Sequence, residues 1–445
     1  MISKSALCNL CFFLCFFPYL NLFRQSAVEV QPICTVVAVL ILMLFGCRVN
    51  RVTIAVGIFV ALSIVYCFVS FEEGIGGWSV VLDFGAYLAP LLLFLGLRDC
   101  GPLLSPKALF GATVLHAGVG FLQEFHVFGW AEGLTAVVPR LSTGPLEGAR
   151  GVSFLAPEPS YGAYILLLIV VSASYFYATR QITTRQLVFL SGLSFVMFIF
   201  NKSGTAFVLL FIYLLTLLVV QSRWLVLRHP FVIVVTWCVF TSSILFVILN
   251  AQNYEESNRY EQVIGEVSQL EHRSEFLTLT NLTEVAGARL ISVAVGYAGL
   301  GEEYGLGHGV ESGASESFRI SEKLGVRWAA LSAVGIPAFL DKPQSYASQV
   351  ALDMGVPGLL VLGFLVSSAL RPGRKYGAQR LRPQSARAVM VASLITGIFM
   401  ILFDDTTALP VPWILLLFAR WLREQGGFYT EVPLAQRRVS GRRIR

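Results

Sequence analysis

Arg150 and Glu158 lie eight positions apart in the stretch Arg150-Gly-Val-Ser-Phe-Leu-Ala-Pro157-Glu158-Pro159-Ser160, and an apolar run from Tyr161 to Ala178 follows at once. Charged groups this close to a membrane segment are costly and mark sites. The two prolines stiffen the backbone and keep a helix from starting before Ser160. A carboxylate held there can accept the proton of an attacking hydroxyl. An arginine can grip a phosphate with its planar fork of donors. Asp83, His116 and Glu124 also fall inside apolar runs, where pairing between spans competes with a functional role. Asp404-Asp405 reads as a solvated turn or as a place for a divalent cation or a sugar, and His272 and His308 read as loop-surface histidines.

The elements that must hold these groups are membrane helices. The chain has 445 residues, 56% hydrophobic and 13% charged, against about 25% charged in soluble domains. Apolar runs near the roughly 20-residue spanning length recur. Twelve spans are expected, at 5–23, 31–47, 52–71, 78–97, 108–129, 160–178, 186–200, 204–221, 231–249, 348–370, 387–403 and 408–422. The fold class is thus an all-α polytopic membrane protein, one integral-membrane domain over 1–445. Two loops are long, 130–159 and 250–347. With both termini on one side, that side carries 22 of the 33 Lys and Arg, which makes it the cytoplasmic side. The net charge of +6 is therefore a topology signal and not a nucleic-acid footprint.

No Walker A motif or other phosphate loop occurs, and the basic side has only short loops, which argues against ATP-driven transport by this chain alone. All eight cysteines fall in spans or at their ends, so no disulfide framework is expected. Cys8, Cys11 and Cys15 share a helical face, where small apolar filling outweighs metal binding. In the second long loop, Tyr260, Val263, Ile264, Val267 and Leu270 recur at helical spacing, and 284–298 is a second helix candidate carrying Arg289.

Together the Arg150-Gly…Glu158-Pro-Ser160 segment, the Asn201-Lys-Ser-Gly-Thr205 turn and the long loop resemble the bacterial O-antigen polymerase and O-antigen ligase superfamily. That loop carries Gly287-Ala-Arg289, then Gly305-Leu-Gly307-His-Gly309, and ends in Gln344-Ser-Tyr346 before Gly355-Val-Pro357-Gly358. The resemblance spans 140–370 and rests on order and spacing, since each motif alone is weak. It implies a glycosyltransferase of the bacterial inner membrane, with no metal and no cofactor. Its substrate would be an undecaprenyl-diphosphate-linked oligosaccharide, its partners the lipid bilayer, a chain-length regulator and a flippase. Ligases of the family carry a histidine where Gln344, Ser345 and Tyr346 stand here, which favours a polymerase.

In that chemistry charge builds on the leaving diphosphate, and cations there stabilise its departure. Arg140, Arg150, Arg289 and Lys202 are the candidate cations, and Ser160, Gln344 and Tyr346 complete the substrate-binding candidates. Glu158 is the candidate general base; orienting an arginine, holding a sugar hydroxyl or stabilising a helix dipole compete with it. A ligase acting on lipid A core or protein is the alternative within the class. A polysaccharide flippase or transporter is the alternative outside it, although the sequence shows neither inverted repeats nor broken helices.

Overall fold

A computed structural model describes residues 3–20, 33–72, 77–125, 138, 151–225, 292–310, 312–323, 343–371, 381–404 and 408–426. Among them the chain is all-helical, a membrane protein by the length and apolarity of its helices. We number the helices α1 (Lys4–Leu14), α2 (Ile33–Phe45), α3 (Arg51–Glu72), α4 (Trp78–Leu97), α5 (Pro106–Glu124), α6 (Pro159–Ala178), α7 (Thr184–Asn201), α8 (Gly204–Leu225), α9 (Gly313–Lys323), α10 (Tyr346–Leu370), α11 (Pro383–Phe403) and α12 (Val411–Gly426). A short apolar helix, Ser292–Gly301, precedes α9.

Seven of these, α3, α4, α6, α7, α8, α10 and α11, are long and apolar enough to cross a membrane. This corrects the expectation of twelve. Among the described residues the runs at 5–23 and 31–47 form helices of 11 and 13 residues, shorter than the spanning length. The run at 108–129 folds as α5, whose His116, Gln123 and Glu124 make it too polar. The run at 408–422 folds as α12, 16 residues with Arg420, Arg423 and Glu424 in its last turns. The run at 231–249 lies outside the described residues, as do Tyr260 to Leu270.

Local chemistry sets the boundaries. Ser3, Ser105 and Ser345 accept first-turn N–H groups of α1, α5 and α10, and Thr183 with Gln186 forms a capping box at α7. Helix α6 begins at Pro159, as the flanking prolines of Glu158 require. It is the centre of the bundle: 78% of its apolar window is buried inside the protein, against 22% for α7 and α8. Lipid supplies no hydrophobic drive between helices, so close packing and small residues do the joining. Gly96 of α4 lies against Ala38 of α2, and a Cβ there would stand 2.8 Å from the Ala38 Cβ.

The two ends of the bundle differ. At the basic end Arg98, 2% exposed, donates to Asn50 and Thr53, and Trp421 Nε1 donates to the Arg98 carbonyl at 2.7 Å. Arg420 and Arg423 donate to the Ala369 and Leu370 carbonyls, satisfying the C-terminus of α10. Cys8 of α1 and Cys100, beyond α4, form a disulfide at this end, contrary to the expectation of none. The cause is packing: the cysteine face of α1 turns toward α2 and the end of α4, where Cys11 Sγ also meets the Cys34 carbonyl.

At the opposite end two irregular segments, 151–158 and 302–310, enter the bundle. Helix α10 is broken there: Gly355 has φ 61° and ψ −152°, and Pro357 follows. At Gly355-Val-Pro357-Gly358 one helical segment of α10 thus ends and the next begins. This supplies the broken helix that the sequence did not reveal.

Candidate functional site

The segment 151–157 is buried yet has no helical hydrogen bonds of its own. Irregular backbone persists at membrane depth only where protein satisfies it. Here α5 and α7 do so. Val152 N donates to the Phe200 carbonyl at 2.8 Å. Gln123 of α5 spans Phe154, accepting from its N–H at 2.9 Å and donating to its carbonyl at 3.1 Å. Asn201, at the end of α7, donates to the Val152 and Pro159 carbonyls, both at 2.9 Å. Gly151 is required by close approach, because a Cβ there would overlap the Asn201 backbone and stand 2.5 Å from the Phe200 carbonyl oxygen.

This clasp unites two motifs some forty residues apart. Glu158 immediately precedes Pro159, and Lys202 immediately follows Asn201. Lys202 ends α7 in the left-handed region, φ 47°, and Gly204 already begins α8. Its Nζ lies 3.9 Å from Glu124 Oε1, both side chains about one third exposed. Such a pair contributes ~0–1 kcal/mol to stability. It also means that Lys202 shares its charge with Glu124, a residue the sequence treated separately.

Glu158 caps α6 through its backbone: its carbonyl accepts from Tyr161 N and Gly162 N, both at 3.0 Å. Its half-buried side chain makes no capping bond to the first turn, so the helix-cap role is filled without the carboxylate. Ser160 is half-buried in the same turn. Arg140, Arg150 and Arg289 lie outside the described residues.

Gln344 and Tyr346 are placed elsewhere, at the start of α10. Gln344 N donates to Ser292 Oγ at 3.1 Å. Tyr346 is fully buried, packs edge-on against Tyr87 and Trp413, and donates its hydroxyl to the Tyr87 carbonyl at 3.1 Å. That is a core position, not an open binding face. The end of α11 bridges the two places: the Leu402 carbonyl accepts from Ser345 and Tyr297, and Asp404 accepts from Tyr164 of α6 at 3.0 Å.

The second irregular segment straps the kink of α10. With Gly355 breaking the helix, His308 N and Gly309 N donate to the Leu352 and Asp353 carbonyls at 3.0 and 2.9 Å. Tyr66 and Ser70 of α3 donate to the Leu306 and Val310 carbonyls on the other side. Gly307, φ 88°, lies directly on the kink; a Cβ there would stand 2.5 Å from Gly355 N. His308 is buried, with Nδ1 3.6 Å from Glu316 Oε2. Arg319 links Glu316 to Glu302, and Lys323 holds Glu302 at 2.7 Å. The hydrogen bond from Lys323 lowers the Glu302 pKa below its usual value, aided by the positive charges of Lys323 and Arg319.

Beneath the kink, Tyr87 donates to the buried Asp353 carboxylate at 2.6 Å, and Asp83 lies one turn before Tyr87 on α4. Asp353, Asn201 and Gln123 were not singled out from sequence. Asn201 and Asp353 stand within the quoted motifs, and Gln123 is an amide in an apolar helix, so each carried a signal. No family model matches the chain, and no curated protein matches it. Among the described residues no group of three His, Cys, Asp or Glu is arranged to hold a metal ion.

Proposed function

We propose that this protein is a membrane glycosyltransferase that joins undecaprenyl-diphosphate-linked oligosaccharide repeat units, an O-antigen or exopolysaccharide polymerase. One observation carries the reading: the clasp ties the segment that ends in Glu158 to the turn that holds Lys202, with Val152 N donating to the Phe200 carbonyl and Asn201 Nδ2 to the Pro159 carbonyl. Glu158 takes the proton of the acceptor hydroxyl as its oxygen bonds to the anomeric carbon of the growing chain. The bond from that carbon to the diphosphate breaks, and undecaprenyl diphosphate leaves with the electron pair. Lys202, with Arg140, Arg150 and Arg289, stabilises that charge. Ser160 and Gln344 hold sugar hydroxyls.

In this reading the basic end faces the cytoplasm of a bacterial inner membrane and the clasp faces the periplasm. Both termini are then cytoplasmic, which requires an even number of crossings in all. A chain-length regulator and a flippase work beside it. A transport reading has one observation in its favour, the broken α10 with Asp353 and Asp83 beneath it.

Deletion of the gene, complemented by the wild type or Glu158→Gln, tests the assignment through the surface glycan ladder. Single capped repeat units in the variant support the polymerase. Free polymer left on its lipid carrier identifies a ligase, and single units held at the cytoplasmic face a flippase. A wild-type ladder from Glu158→Gln, with protein present, overturns the role of Glu158.

A further inference from the structure

We infer that Asn201 is a positioning residue: its carboxamide staples both ends of the 152–159 segment and so sets where Glu158 stands relative to Lys202. Two observations carry it. The Asn201 Nδ2 group donates to the Val152 and Pro159 carbonyls, seven residues apart, each at 2.9 Å. The side chain is fully buried, so water does not compete for these bonds. Only the amide nitrogen donates, and both its partners are carbonyl oxygens, which fixes the orientation of the amide.

The staple also has a backbone half. Val152 N donates to the Phe200 carbonyl, and Gly151 admits the chain to within contact of Asn201 itself. Pro159 supplies no N–H and Pro157 none either, so the Glu158 region cannot be anchored by its own donors at those positions. Anchoring to α7 comes instead through a carbonyl, that of Pro159 next to Glu158, which accepts from Asn201. A shift of about 1 Å at a reacting group costs on the order of 100-fold in rate. Asn201 thus acts on the transfer through Glu158 and does not touch the sugar.

This role rests on the polymerase reading, and two measurements separate the two. The first needs no activity. Ser153 is fully buried in the stapled segment. In a Cys47→Ser, Cys67→Ser background, Ser153→Cys is expected to resist a membrane-impermeant maleimide. Addition of Asn201→Leu, similar in shape but without donors, is expected to raise labelling at least tenfold. Continued protection overturns the staple. The second measurement uses purified protein in lipid vesicles with lipid-linked repeat units. Asn201→Leu is expected to lower kcat at least tenfold and to leave KM for the donor within about twofold. Asn201→Ser, which keeps one donor, is expected to recover part of that loss.

Gly151→Ala tests the same contact from the other side should Asn201→Leu not accumulate, with the same expected labelling and kcat. Increased labelling with unchanged kcat overturns the positioning role and leaves the staple as scaffold. A wild-type protein that makes no polymer under these conditions overturns the polymerase reading and the positioning role together, while the labelling still decides the staple.

Discussion

The segments 151–158 and 302–310 solve one problem in two ways. Both carry irregular backbone into a helical bundle, where every N–H and carbonyl must find a partner. The first is met by side chains. Gln123 and Asn201 reach out from intact helices, and only the last turn of α7 adds a backbone acceptor, the Phe200 carbonyl. The second is met by backbone on its α10 side, while Tyr66 and Ser70 of α3 donate to it from the other. Helix α10 is broken at Gly355, and the carbonyls of Leu352 and Asp353 are free to accept from His308 N and Gly309 N. An intact helix must offer amide side chains to a docked loop, whereas a broken one offers its own carbonyls. The glycine content follows. Backbone meeting backbone leaves no room for a Cβ at Gly307 or Gly355, nor at Gly151 where the clasp meets the end of α7. The side-chain clasp tolerates Phe154 and Leu155, which fill the core.

The contrast can be broken at either segment. The largest effect is expected at the strap. Gly307→Ala would place a Cβ 2.5 Å from Gly355 N at φ 88°, combining backbone strain with overpacking for about 3 kcal/mol or more. Thermal unfolding in detergent measures it. His308→Ala at the next position should cost far less, because the strap is held there by its backbone N–H. An equal loss for the two variants would show that the His308 side chain holds the strap as well.

A smaller effect is expected at the clasp. Gln123→Leu removes both bonds to Phe154 and strands a buried N–H and a carbonyl, about 2 kcal/mol. The same melt checks it, and a loss near zero would mean that Asn201 and Phe200 suffice.

The smallest effect concerns pH at the strap. Glu302 has its pKa lowered by Lys323, so its contribution to stability is full above the ordinary glutamate value of 4.5 and is lost as pH falls through the lowered folded value. Protease protection of α9 should therefore weaken as pH drops below about 4.5, and Lys323→Ala should flatten that dependence. Retained pH dependence in Lys323→Ala would place its origin elsewhere in the His308–Glu316–Arg319 chain.

The sequence by itself determined the elements. Long apolar runs became α3, α4, α6, α7, α8, α10 and α11, and the prolines around Glu158 set where α6 begins. The tight turn after Asn201 and the glycines that mark the strap were also legible, because these signals are local. The sequence overstated the spans, since an apolar stretch such as 31–47 reads alike whether the helix has 13 residues or 20.

Only the tertiary structure decided which polar group meets which backbone. Asn201 and Gln123 are ordinary amides in their own helices, and nothing nearby in the chain shows that their partners lie at 152–159. Tyr346 looked like an aromatic at a binding rim and is core, because α10 turns that face toward Tyr87 and Trp413. The kink at Gly355 became meaningful once Gly307 lay against it. Hydrogen bonds between distant segments depend on how helices pack, and packing is a property of all the faces at once and not of any one run of residues.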